Sequence, residues 1–234
     1  MRLKSSSYAQ LKTFNERLDF LADFFARNCH AINIRRGENQ LVLPDCTFDR
    51  YQVDPDNANQ VKAIKVCKRF AERLAHRVIT GENGGVGLYM AGETGCGKTH
   101  LAMAILNAVR KTFPGYYIPA SELFPFLRRK DDGDNTQAKR LENLCAVSVL
   151  VIDEIGRSSV TDFERIMLRD IVERRAMADL PTILVTNLDA EEAAEALDKT
   201  FISRLYKLAY PLIFDWEDYR RRASLAQMSA DEVF

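Results

Sequence analysis

The chain has 234 residues, 47% hydrophobic and 28% charged, enough for one substantial core plus a small appendage. Lys+Arg and Asp+Glu stand at 33 each, so bulk charge by itself points to no nucleic-acid partner and leaves that role to a local basic patch. Five scattered cysteines (Cys29, Cys46, Cys67, Cys96, Cys145) form no C-x-x-C pair, which argues against a zinc site or disulfide framework. No apolar run reaches membrane-spanning length and the N-terminus lacks the apolar core of a signal peptide, so a cytoplasmic protein with reduced thiols is expected.

Residues 8–27 predict an amphipathic helix. Leu11, Phe14, Leu18, Leu21 and Phe25 step by three and four, while Lys12, Glu16, Arg17, Asp19 and Asp23 fall elsewhere on the wheel. Such a seam marks a partner-binding segment, or one that folds back on the core or self-associates. Residues 1–34 are therefore assigned to partner binding, and 35–56, with Gly37 and Pro44, to a linker leading into the core. A long helix is expected from about Asn57, with Val61, Ile64, Ala71, Leu74 and Val78 on one face. Thr80 to Gly85 is a glycine-rich stop.

Val86 to Ala91 reads as a short buried strand. Gly92-Glu93-Thr94-Gly95-Cys96-Gly97-Lys98-Thr99 follows it and fits G-x-x-x-x-G-K-[ST], a phosphate-binding loop. Its glycines let the backbone turn N–H groups toward an anion; Lys98 brings a point charge to the β- and γ-phosphates, and Thr99 a hydroxyl to Mg²⁺. Leu101, Ala104, Ile105, Ala108 and Val109 then repeat at helical spacing, so the loop opens a helix whose positive end adds to the anion site. His100 is expected to pack rather than react. The cofactors implied are ATP and Mg²⁺.

From here strand and helix alternate, the mark of a parallel α/β sheet. Tyr116 to Ile118 is a second strand, Ser121 opens a helix, and Arg128 to Asn135 is a charged loop. Ala146 to Ile152 is a third strand, ending on Asp153 and Glu154. An acid at that position of a phosphate-loop protein holds Mg²⁺, and a second beside it polarises water; a helix cap is the plainer alternative. The strand between loop and acid pair points to the additional-strand class of P-loop ATPase. Thr161-Asp162-Phe163-Glu164 reads as a capping box. Thr182 to Thr186 is a fourth strand, and Asn187 at its end is a candidate for orienting the attacking water. Asp189 and Glu192 suggest another cap. Arg204 stands in a helix-like stretch; it either reaches a neighbouring copy's γ-phosphate or makes a surface ion pair. Leu208 to Phe214 is a fifth strand whose Pro211 places it at a sheet edge. Arg220 could contact phosphate within its own subunit. The fold class expected is α/β, a five-stranded parallel sheet flanked by helices over 57–222, with a short tail at 223–234.

These residues together resemble the DnaC-type replicative helicase loaders of the AAA+ ATPases, whose core the IstB-type transposition ATPases share. The resemblance covers roughly Cys46 to Arg222. It rests on Asp45 to Tyr51, Gly92 to Ala102, Val149 to Gly156, Pro181 to Asn187, Ile202 to Leu205 and Phe214 to Arg220. It implies ATP-dependent self-assembly on single-stranded DNA and a grip on a hexameric, DnaB-type helicase through the N-terminal segment. Family roles fall on Lys98, Thr99, Asp153, Glu154, Asn187, Arg204 and Arg220. The family's helical insertion falls near Leu123 to Leu144, where Arg128, Arg129 and Lys130 are candidate DNA contacts or a solvated loop balanced by Asp131, Asp132 and Asp134. No full helical lid of the kind larger AAA+ proteins carry is expected after Arg222. Two other readings are a transposition regulator that forms filaments on duplex DNA and a nucleotide-gated adaptor without turnover. The presence of both Asp153 and Glu154 argues against the adaptor.

Overall fold

Continuous runs of apolar residues become the central strands of a parallel sheet. In the computed structural model, which describes residue 43 and residues 45–80, 87–109, 115–130, 136–157 and 159–219, the elements are α1 (Ala58–Thr80), β1 (Gly87–Gly92), α2 (Lys98–Val109), β2 (Gly115–Pro119), α3 (Ala120–Arg128), α4 (Gln137–Ala146), β3 (Val149–Ile155), α5 (Asp162–Met177), β4 (Thr182–Thr186), α6 (Ala190–Leu197), α7 (Lys199–Leu208) and β5 (Ala209–Phe214). The five strands are all parallel in the order β2-β3-β4-β1-β5. Every residue of β4 is buried, as a strand covered on both faces requires.

Alternation along the strands divides the core in two. Leu88, Met90, Val149, Val151, Ile183 and Val185 face α1 and α2. Tyr89, Ala91, Ile118, Leu150, Ile152 and Leu184 face the layer built from α3 to α7. β5 pairs only with β1, with Pro211 opposite Tyr89, so the strand holding the proline is an edge strand as expected. Thr161 and Glu164 form the capping box of α5, and Asp189 and Glu192 that of α6.

Three expectations are corrected. The third strand begins at Val149, not Ala146, because residues 137–146 form α4, capped by the Thr136 hydroxyl. It runs on through Ile155, so Asp153 and Glu154 lie within the strand. The buried face of α1 is Gln60, Ala63, Cys67, Ala71 and Leu74, while Val61 and Ile64 are only half-buried. The inward row turns on small residues because α1 lies close along α2, which itself buries Ala102 and Ala104. Among the described residues no helix is long and apolar enough to cross a membrane.

Candidate nucleotide site

β1 delivers the glycine loop to the C-terminal edge of the sheet, and α2 starts at Lys98. Gly95 and Gly97 take φ of 81° and 83°, a region that favours glycine. Space is also short: a Cβ on Gly97 would lie 2.5 Å from the Tyr51 ring, and one on Gly95 would lie 1.9 Å from the Asp218 carboxyl. The loop is held from behind. The Tyr51 hydroxyl and the Trp216 indole N–H both donate to the Cys96 carbonyl, at 3.1 and 3.0 Å, and the Tyr219 N–H donates to the Gly95 carbonyl at 3.1 Å. In a trans peptide the C=O and the following N–H point opposite ways. Tying down the carbonyls of Gly95 and Cys96 therefore turns the N–H groups of Cys96 and Gly97 to the other side, where an anion can sit.

Lys98 is buried, and its ammonium donates to the carbonyls of Gly92 and Glu93 at 2.7 and 2.5 Å. The Thr99 hydroxyl donates to Asp153 Oδ2 at 2.7 Å, and the Tyr117 hydroxyl donates to the same oxygen at 3.0 Å. Asp153 Oδ1 accepts the Glu154 N–H at 2.7 Å. A hydroxyl and a buried carboxylate so close are hard oxygen donors of the kind Mg²⁺ takes, so the residues fit that ion. Burial and the adjoining Asp153 carboxylate push the Tyr117 phenol well above its ordinary range, which keeps it a donor.

Glu154 has φ of +57°, left-handed for a residue with a side chain. The register of β3 against β4 shifts between Ile152 and Ile155 at this point. A regular strand would send Asp153 and Glu154 to opposite faces; the irregularity breaks that alternation. Glu154 is half-buried and its Oε1 accepts from Arg157 at 2.8 Å.

A family profile described as IstB-like ATP binding protein matches residues 14–225. The chain belongs to that family. It is 29% identical over 192 residues to the replicative helicase loader DnaC of Buchnera aphidicola subsp. Acyrthosiphon pisum (strain APS), covering 80% of this chain and 74% of that one. YdaV of Escherichia coli (strain K12) is 30% identical over 225 residues, covering 91% and 87%. The crystal structure of the DnaC helicase loader superposes with a TM-score of 0.60 at 25% identity, over 73% of this chain and all but a few per cent (97% covered) of the other. The IstB-like chain thus has a DnaC-like AAA+ P-loop core, as its sequence predicts.

The remaining sequence-derived residues distribute as follows. Asn187 is exposed directly after β4, the strand between β1 with its loop and β3 with its acids. Arg204 is exposed on α7 and donates to Glu173 at 2.8 Å, the surface ion pair named as its plainer alternative. Arg128 stacks 4.7 Å from the Phe163 ring centroid, Arg129 offers its carbonyl to Arg140, and Lys130 is exposed. His100 packs: its Nε2 lies 2.8 Å from the Thr47 carbonyl and its ring meets Tyr51 edge-on. Arg220 and the seam of Leu11, Phe14, Leu18, Leu21 and Phe25 lie outside the described residues. Sequence reasoning missed Tyr117, Tyr51 and Trp216 as supports of the site. It also missed Thr186, whose buried hydroxyl donates to the Ile155 carbonyl at 2.7 Å and holds the end of β4 against β3. For Tyr51 and Trp216 the available signal was an aromatic residue inside a quoted motif; Tyr117 and Thr186 carried no such signal.

Proposed function

We propose that this protein is an ATP-dependent loader that places a hexameric replicative helicase on single-stranded DNA when replication starts. The observation that carries the reading is the 29% identity to DnaC over four fifths of the chain (80% covered), joined to a site that sets Thr99 against Asp153. ATP would lie with its phosphates on the loop N–H groups, and Lys98 would exchange the Gly92 and Glu93 carbonyls for phosphate oxygens. Thr99 and Asp153 would hold Mg²⁺, which neutralises charge on the β- and γ-oxygens. Glu154 takes the proton of the attacking water and Asn187 orients that water. The new bond to the γ-phosphorus forms as the bond to the bridging oxygen breaks, and ADP and phosphate leave. Arg204 would serve the site of an adjacent copy, breaking its pair with Glu173, and Arg220 would contact phosphate in its own subunit. The segment 8–27, whose sequence predicts an amphipathic helix, would grip a DnaB-type helicase in the cytoplasm.

The test is retention of a hexameric replicative helicase on the immobilised protein in Mg·ATP, followed by its transfer to a single-stranded circle. A second reading, an IstB-type regulator of transposition, is favoured by the profile match over 14–225. A protein that ignores the helicase and instead forms ATP-dependent filaments on duplex DNA would belong to that second class.

A further inference from the structure

The helix α1 buries Gln60, Ala63, Cys67, Ala71 and Leu74 against α2 and the sheet. On the opposite side Lys62, Lys65, Arg69 and Arg73 are all exposed. At 100° per residue the four fall within an arc of about 80°, and they extend over about 16 Å of helix. Lys68 flanks them, 6.0 Å from the Phe48 ring centroid. Glu72 is the sole acid in α1. Among the described residues none of the four makes an ion pair, a hydrogen bond or a cation–π contact. Like charges at i, i+3 and i, i+4 repel, so this row weakens the helix unless something anionic lies along it. A groove of about 560 Å³ runs beside the row, with Pro55, Val61 and Val66 on its apolar side and Asp56 as its one carboxylate.

The nucleotide site lies close by. One turn before Arg/Lys charges begin, the Asn59 side chain donates to Asp215 at 2.7 Å. The next residue, Trp216, is the one whose indole holds the Cys96 carbonyl of the phosphate loop. By contrast, Arg128 at the end of α3 is occupied by Phe163 and Thr161.

We propose that the exposed row Lys62, Lys65, Arg69 and Arg73 of α1 is a binding site for the phosphate backbone of single-stranded DNA. The choice of ligand rests on the helicase-loader reading above. Side chains of this kind give affinity without base specificity, and a strong dependence on salt.

The experiment measures binding of a fluorescent single-stranded oligonucleotide by anisotropy, across a salt series, with Mg²⁺ and a non-hydrolysable ATP analogue. The full chain is compared with a variant carrying Lys62→Ala, Lys65→Ala, Arg69→Ala and Arg73→Ala, and with Glu72→Gln. The quadruple variant is expected to bind at least tenfold more weakly, and its slope of log affinity against log salt should shrink by about 2 to 3, roughly 0.7 per lost contact. Glu72→Gln should bind more tightly. All four side chains are exposed, so an unchanged melting curve and unchanged analogue binding are expected and are measured alongside. Wild-type affinity and slope in the quadruple variant would overturn the site while leaving helicase loading intact. Loss of self-assembly or of helicase retention with DNA binding unchanged would overturn it too, and make the row a protein contact. A wild-type chain that binds no single-stranded DNA would overturn the site, and helicase retention would then judge the loader reading separately.

Discussion

Glu154 holds the least comfortable backbone in the site. A side-chain-bearing residue at φ +57° costs roughly 1 to 2 kcal/mol that glycine would not incur. The register shift at this point also breaks the strand's alternation at the acid pair, so the strain falls on the residue proposed to take the proton from water. Glu154→Gly is therefore expected to be more stable than Glu154→Ala by about 1 kcal/mol, read from chemical denaturation. Equal stabilities would show that the backbone relaxes when the side chain goes. Glu154→Gln should keep nucleotide binding and lose turnover at least 100-fold, because an amide cannot take the proton. Tyr117 is the neighbouring case. Its hydroxyl shares Asp153 Oδ2 with Thr99, so Tyr117→Phe frees the carboxylate to turn. The variant should need several-fold more Mg²⁺ to bind a fluorescent ATP analogue, with binding in excess Mg²⁺ close to wild type; an unchanged Mg²⁺ titration would remove Tyr117 from the site.

At the scale of elements, the sheet is tied to its helices by one buried cation. Arg175 near the end of α5 donates to Thr182 Oγ1 at 2.9 Å, the Val147 carbonyl at 2.7 Å and the Pro181 carbonyl at 2.8 Å. It thereby joins the segment after α4 to the start of β4, and β4 carries Asn187 at its other end. Arg175→Met should cost about 3 kcal/mol, since buried carbonyls lose their donors, and should lower the melting temperature by several degrees. A loss under ~1 kcal/mol would mean that water replaces the guanidinium. The end of β3 is a second junction: the Thr186 hydroxyl donates to the Ile155 carbonyl and ties the strand end that carries the acid pair to the one that leads to Asn187.

At the scale of the whole molecule, the nucleotide site is assembled from both flanks of the P-loop. Tyr51 comes from before α1 and Trp216 from after β5, and both close on the Cys96 carbonyl. Arg204 lies apart, on α7, paired with Glu173 across the surface. An exposed pair of this kind contributes at most ~1 kcal/mol, little enough to break on assembly. Arg204→Ala should therefore leave the melting temperature within a degree or two and analogue binding nearly intact, while ATPase activity falls at least tenfold. Mixing Arg204→Ala with Lys98→Ala should restore part of the activity, because a mixed interface can join an intact loop to an intact arginine. Mixtures with no activity at any ratio would confine Arg204 to its surface pair.

The local motifs were readable from the chain alone. Gly92 to Thr99, Asp153 beside Glu154, the caps at Thr161 and Asp189, and Pro211 on an edge strand each depend on residues a few positions apart, so spacing encodes them. The third strand was misplaced because Ala146 and Val147 continue its apolar run while hydrogen bonding ends a helix at Ala146. Tertiary packing alone decided the rest. Tyr117 meets Asp153 across 36 residues, Tyr51 meets Cys96 across 45 and Trp216 meets Cys96 across 120. Which face of α1 turns outward likewise depended on the small residues that let it lie against α2, and that packing left Lys62, Lys65, Arg69 and Arg73 in water. A pattern of neighbours along the chain cannot specify such contacts, because the partners are brought together only by strand order and burial.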